Sequence, residues 1–408
     1  MTRLPRGCAV AVFDNYWATT LAFARSLGRQ GVPLDFYGSG AGRWSRFCTS
    51  SSRCPPVERV DEFQPWLRER LRSGEITRIA PTTDLIAFHA SALRSEFAPE
   101  VQRTIAPLNE IENCLIKTRF STVSALANCP TLPTLAPDSV DGAIAAAAAL
   151  GYPVMLKPKS HLAVGFAERG QLLTNEADLI RHYRQYSIAA GQEGIAARYP
   201  ELVWPLLQRY IASARNHVYS VSGVKDADGG VLTACVSYKR EQWPPDVGVS
   251  TLQVSCDDKR ILEFGLKIVN QTLSRGIFEV ELLADGDDLY AIDLNPRAFG
   301  FLELDIARNS DLPWLWFRST QEVQAPQQQL VSQVPMQARH WLLHRFKKMA
   351  GARSPADDAS TPRVSVSMLG HRSDPLPMII SNLQLLRHPR SLLRAQFASS
   401  RVAHYQKV

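Results

Sequence analysis

Glu279, Glu281, Asp293 and Asn295 are oxygen-bearing side chains on two short runs, residues 276–284 (GIFEVELLA) and 289–297 (LYAIDLNPR). In both runs apolar and acidic residues alternate, the period of a strand with one buried face. Asp285-Gly286-Asp287-Asp288 between them has the composition of a turn, so the unit predicts a β-hairpin. With the turn centred on Asp287, Glu281 stands opposite Asp293 and Glu279 opposite Asn295, and all four leave one face. Like charges directly opposed destabilise a sheet. A hard cation among them removes the conflict, because Mg²⁺ takes oxygen ligands and shares them with nucleotide phosphates. A solvated acidic face accounts for Asp287 and Asp288, but not for the flanking Leu and Ile or for the Asn-Pro-Arg that follows.

These residues resemble the carboxy-terminal signature of the ATP-grasp superfamily: GIFEVEL, a twelve-residue step from Glu281 to Asp293, then Asp293-Leu294-Asn295-Pro296-Arg297. The resemblance implies ATP with Mg²⁺ or Mn²⁺, with Glu281, Asp293 and Asn295 as metal ligands. It makes Arg297 the holder of an acyl phosphate or substrate anion. Asp293 departs from the commoner Glu and has a shorter reach. The implied fold mixes α/β and α+β, an ATP-grasp fold preceded by a small α/β domain. The corresponding division is 1–114 for the amino-terminal domain, 115–320 for the nucleotide and metal domain, and 321–408 for a basic carboxy-terminal segment.

The elements around the hairpin agree with that placement. Residues 8–13 are an apolar run, 19–30 have helical character ending at Gly31, and 32–37 read as a second strand. Residues 78–84 repeat the pattern of strand then helix start. Gly38, Gly40 and Gly42 do not have dinucleotide-binding spacing and follow the second strand instead of the first, so they read as an ordinary loop. Lys117 is expected at the end of a helix over 109–117 capped by Asn109. Residues 143–150 form an alanine-rich helix packed near Lys157. Lys157 ends the apolar strand 152–157, where a buried ammonium needs an anion. No Gly-x-x-x-x-Gly-Lys-Ser/Thr is present, which excludes a P-loop.

The resemblance gives further expectations. Lys117 and Lys157 match two nucleotide-binding lysines in order and spacing. Gln208, Arg209, Tyr210 and Ile211 resemble the hinge strand that meets adenine, with Gln208 where relatives have Glu. Asn216 or His217 would hold the ribose. The flap after Lys159 is poor in glycine, and His161 within it reads as an exposed loop residue. In the stretch 238–251, Arg240 would face the transferring phosphate, as in D-aspartate ligase-like carboxylate-amine ligases. Asp305 and Arg308 are candidates for shaping the acceptor pocket.

Composition points to a soluble cytoplasmic enzyme. The 408 residues can bury several cores, no stretch has membrane-spanning length, and Asp14 and Asn15 interrupt the first apolar run. Seven scattered cysteines without metal spacing read as free thiols. The net charge of +7 is not spread evenly: from Arg339 onward twelve basic residues face three acids, and the preceding body is near neutral. No nucleic-acid motif accompanies the charge. Arg390, Arg394 and Arg401 interleave with Leu392, Leu393 and Phe397, the pattern of a basic helix that either docks on the body or makes peripheral contact with an anionic membrane or envelope precursor.

The reading is an ATP-dependent carboxylate-amine ligase that forms an amide through an acyl phosphate and releases ADP and phosphate. Its partners are a small-molecule carboxylate and an amine, amino acids among them. The alternatives are an ATP-grasp kinase, a carboxylase-like enzyme, or a non-catalytic ATP-binding regulatory module.

Overall fold

The computed structural model describes residues 9–13, 17–160, 162, 170–190, 195–212, 217–226, 228–243, 248–321, 331–340 and 362–387. At the amino terminus β1 (Val10–Phe13), β2 (Leu34–Tyr37) and β3 (Ser50–Ser52) form a parallel sheet in that order. Val10, Val12, Leu34 and Phe36 are buried against Phe23 and Leu27 of the helix Trp17–Arg29, which explains the apolar start of the chain. The strand expected at Arg78 is only a single parallel bridge, Ala11 to Ile79. Pro81 lacks the amide that would continue the ladder, and Thr83 then caps the helix Asp84–Ala92, its hydroxyl accepting from the Ile86 amide at 3.3 Å.

A four-stranded antiparallel sheet follows, with β4 (Thr134–Leu135), β5 (Val154–Lys157), β6 (Gln171–Leu173) and β7 (Leu206–Arg209) in the order β4-β7-β5-β6. The alanine-rich helix Val140–Leu150 lays Ala143 and Ala147 against Val154, Leu156 and Leu207, as its composition implied. Small side chains let the helix come close to the sheet, and β5 ends at the mouth of the site.

The third sheet has seven strands in the order β12-β11-β8-β9-β10-β13-β14. These are β8 (Val218–Lys225), β9 (Val231–Trp243), β10 (Val249–Cys256), β11 (Gly276–Asp285), β12 (Asp288–Asn295), β13 (Met336–Arg339) and β14 (Val364–Ser367). Val221, Phe278, Val280 and Leu282 leave one face and pack on Ile261, Ile268 and Val269 of the helix Lys259–Thr272. A Cβ at Gly265 would stand 2.6 Å from Val221, so glycine sets how closely that helix lies on the sheet. The opposite face is polar at its centre, with Ser220, Ser222, Ser237 and Gln253 all buried. At one end it becomes apolar, where Val224 and Ile277 meet Leu312 and Leu315 of the helix Leu312–Ser319.

The hairpin of β11 and β12 has the expected pairing, Glu281 with Asp293 and Glu279 with Asn295, but by a different route. The turn is tighter than a centre at Asp287 implies: Asp285 pairs with Asp288 across Gly286 and Asp287, and Gly286 has φ +61°. A bulge between Glu281 and Leu282 restores the register.

Beyond residue 320, the described stretches 331–340 and 362–387 are woven into the body. β13 and β14 extend the large sheet, and the buried Asp374 carboxylate accepts from Arg25 Nε at 3.0 Å, Ser45 Oγ at 2.9 Å and the Arg46 amide at 2.9 Å. Arg390, Arg394 and Arg401 lie outside the described residues.

Candidate active site

The carboxylate row is set by strand pairing across three strands: Asp293, Glu281 and Ser220 stand in one row, Asn295, Glu279 and Ser222 in the next. Glu279 is buried and accepts from Ser220 Oγ at 2.7 Å and Asn295 Nδ2 at 2.6 Å. Burial, then the neighbouring Glu281, push its carboxyl up to about 7, against the pull of Lys239, the Ser220 bond and Arg297. Like-charge crowding is therefore real on this face, and the chain offsets it with cations.

Three of those cations come from other elements. Lys239 Nζ lies 2.7 Å from Glu281 Oε1, and Lys117 Nζ lies 2.9 Å from Asp293 Oδ2. Lys157 on β5 donates to Gln208 Oε1 at 2.8 Å, and Gln208 in turn donates to Thr134. Burial depresses the Lys157 ammonium to about 8, helped by the Lys117 cation, while Asp293 and Glu281 pull the other way. The end of β5 thus lies within electrostatic reach of Glu281 and Asp293. The hydrogen-bond partner of Lys157 is a neutral amide, and the carboxylates within reach do not restore its ordinary basicity.

Lys117 corrects another expectation. The helix over this stretch is Leu108–Leu115 with Pro107 at its cap position, Ile116 is extended, and Lys117 opens a second helix, Lys117–Leu126. Its amide donates to the Lys159 carbonyl at 2.8 Å, a tertiary bond that breaks the helix in two. A cation at a helix start opposes the helix dipole, and the Asp293 carboxylate compensates.

Arg297 joins the sheet to the amino-terminal domain. Its Nε donates to Asp84 Oδ1 at 2.7 Å and its Nη2 to Asn295 Oδ1 at 2.9 Å, and the next amide, Ala298 N, donates to Pro81 O at 2.8 Å. Asp84 sits at the start of its helix and is almost fully buried. The guanidinium is thus aimed by a residue far away in the chain and by Asn295.

Among the described residues, no three His, Cys, Asp or Glu side chains converge as a ready-made metal shell. Glu281 and Asp293 each hold a lysine. The donor set itself, carboxylate and amide oxygens without sulfur or imidazole, suits Mg²⁺ or Mn²⁺.

No protein-family model and no curated protein matches the chain. Solved structures do. The biotin carboxylase domain of Hydrogenobacter thermophilus 2-oxoglutarate carboxylase, in complex with MgADP, ADP and bicarbonate, is 17% identical with a TM-score of 0.62, covering 80% of this chain and 73% of that one. Staphylococcus aureus N5-carboxyaminoimidazole synthetase with ADP is 14% identical with a TM-score of 0.61, over 82% of each chain. Bacillus licheniformis L-amino acid ligase is 13% identical with a TM-score of 0.56, over 79% of this chain and 76% of that one. The chain has the ATP-grasp fold.

Within the ATP-grasp fold the sequence-derived residues separate by place. Lys117, Lys157, Glu281, Asp293, Asn295 and Arg297 come together. Gln208 lies in β7 with its side chain turned to Lys157, the Arg209 amide is engaged by the Pro133 carbonyl, and Tyr210 and Ile211 follow the strand half-buried. Asn216 and His161 lie outside the described residues. Arg240 departs from expectation. Strand alternation sends Lys239 to the carboxylate face and Arg240 to the other, where its Nη1 donates to Tyr238 Oη at 3.4 Å. Arg308 holds the Val236 carbonyl at 3.0 Å and Asp257 at 3.0 Å, a structural pin, while Asp305 is buried on Ser222. Sequence reasoning missed Lys239, Glu279 as a bonded member of the site, and Asp84. The alternation of Cys235, Ser237 and Lys239 on one face was the signal for the first.

No helix among the described residues is long and apolar enough to cross a membrane.

Proposed function

We propose that this protein is an ATP-dependent carboxylate-amine ligase. The observation that carries the reading is the arrangement of Glu281 and Asp293, directly opposed on β11 and β12, each paired to a lysine from another element and both within electrostatic reach of Lys157. When bound, Mg²⁺ would be held by Glu281, Asp293 and Asn295 and would neutralise phosphate charge.

The remaining work falls to the chain's own residues. Lys117 and Lys239 are released from the carboxylates to meet phosphate oxygens, and Lys157 keeps the nucleotide's anionic end against β5. Tyr210 and Ile211 border the adenine, and Asn216 or His217 the ribose. Arg297, aimed by Asp84 and Asn295, holds the substrate carboxylate. A carboxylate oxygen attacks the γ-phosphorus, the bond to the bridging oxygen breaks and ADP leaves. An amine then attacks the acyl carbon, phosphate departs, and the amine proton passes to solvent. Lys239 takes the place beside the transferring group that the sequence had suggested for Arg240.

The three-part division 1–114, 115–320 and 321–408 is retained in this reading, with two strands of the last part built into the sheet of the second. The positive charge after Arg339 is read as facing a polyanionic surface and not the nucleotide.

Supplying Mg·ATP, a panel of amino acids and small carboxylates, and hydroxylamine in place of the amine tests the chemistry. A hydroxamate formed with the right acid is the expected product. A stable phosphorylated acid with no hydroxamate would instead make the protein a kinase. The likeness to a carboxylase domain solved with bicarbonate favours one second reading, in which bicarbonate is the acid; ADP release that requires bicarbonate and no other carboxylate would establish it.

A further inference from the structure

The helix Leu376–Arg387 leaves a row of apolar side chains outside. In its first two turns Pro377 and Ser381 are buried and Met378 and Ile380 half-buried, whereas Leu376, Ile379 and Leu383 are 53, 44 and 52% exposed. A surface helix ordinarily turns such a stripe toward the core. This one is held outward by Asp374, which is tied to Arg25 and Ser45, and by the close seating of Gly370 on Met378.

The element it packs against is the single turn Ala41–Trp44. Trp44 is 48% exposed, and the Arg43 guanidinium stands 5.5 Å from its ring centroid. Arg46 beside it donates to the Ser373 carbonyl at 3.3 Å, so segments more than 300 residues apart make one patch.

Charge on this ground has one sign. Residues 41–53 hold three arginines and no acid. Residues 362–387 hold three arginines and a single acid, Asp374, which is already neutralised by Arg25. The chain beyond Arg387 has the same sign as the patch, and so does a second copy of it, so neither is a good cover. An anionic interface satisfies both halves of the surface, with apolar side chains and an indole entering the headgroup region and arginines meeting phosphate.

We propose that the patch formed by Trp44, Leu376, Ile379 and Leu383, with Arg43 and Arg46 at its edge, docks the protein on anionic lipid. It deepens the reading of the carboxy-terminal charge given above and is independent of the ligase chemistry.

Sedimentation of the full chain with vesicles tests it, comparing phosphatidylcholine alone with phosphatidylcholine containing phosphatidylglycerol. The wild type is expected on the anionic vesicles only, less so as salt rises. Ile379→Glu/Leu383→Glu should lower the partition coefficient by about tenfold or more, with Mg·ATP binding retained. If that variant does not fold, Trp44→Ser is read in its place, with a loss in the same direction. Equal binding by the variants, or equal binding to uncharged vesicles, overturns the proposal. So does retention on heparin or DNA without vesicle binding, which makes the partner a soluble polyanion. A dimer dissolved by Leu383→Glu without vesicle binding assigns the stripe to a second copy.

Discussion

Replacing Lys239 by Met keeps an apolar stem of similar length and deletes the ammonium 2.7 Å from Glu281. The lysine and glutamate side chains are 10% and 20% exposed, so the pair is largely desolvated. Removing one partner of a buried pair costs about 3–5 kcal/mol, and the residual exposure reduces this to about 2–3 kcal/mol here. Glu279 concentrates the effect, because Glu281 already raises its carboxyl and Lys239 lowers it. With the lysine gone, one of the two carboxyls takes a proton more readily, so the folded state binds more protons than the unfolded state. Stability then falls as pH rises, and the deficit should be larger at pH 8 than at pH 6. Mg²⁺ without nucleotide gives the second readout. In the wild type it must displace Lys239, whereas in the variant that carboxylate no longer holds a lysine, and each tenfold gain in affinity adds about 1.4 kcal/mol when the ion is in excess. Urea unfolding at both pH values, with and without Mg²⁺, measures all of this. A variant within about 0.5 kcal/mol of wild type at both pH values, or an identical Mg²⁺ gain in both proteins, refutes the pairing argument.

Asp293→Asn should abolish ADP formation in a protein with unchanged far-ultraviolet dichroism, since it removes a metal charge and the partner of Lys117; near-normal turnover would reject the metal assignment. The Lys157 ammonium, depressed to about 8, should lose its proton within reach of assay, so Mg·ATP affinity is expected to fall as pH rises through that value, with Lys157→Ala weak and flat across the range. Asp305 is buried with its carboxyl raised from 3.8 to about 6, so its contribution is fully present below the unfolded value and lost as pH rises through the folded one. Asp305→Asn, which can still accept from Ser222, should therefore be more stable than wild type at pH 8 by about 2–3 kcal/mol and nearly equal to it at pH 4; chemical denaturation at the two pH values decides.

The hairpin and the facing of its oxygen-bearing side chains were legible because period-two alternation survives translation into a sheet with little outside help. Even there the turn was misplaced by half a residue pair, and only the bulge at Glu281 kept the facing side chains in register. Lys117 was misread because Leu115 and Ile116 continue an apolar pattern, while the break comes from an amide bonded to Lys159, a contact that no local period encodes. The side of the sheet taken by Lys239 and Arg240 depends on how β9 pairs with β8, so a two-residue motif could not distinguish them. Asp84 was invisible for a simpler reason: it acts on Arg297 from 213 residues away, and its own neighbourhood reads as nothing more than a capped helix.

Of the two carboxylates that face Arg25, Glu303 at 3.6 Å and Asp374 at 3.0 Å, the nearer is 349 residues further along the chain. On a ribosome adding roughly 5–20 residues per second, the first parallel strands and their helix exist for tens of seconds with a guanidinium destined for the interior and no Asp374 to receive it. The amino-terminal domain therefore cannot reach its final packing as an independent early unit, even though its strands are made first. Its closure waits for nearly the whole polypeptide, and a chain truncated ahead of Asp374 would leave the exit tunnel with only the more distant Glu303 to receive that arginine.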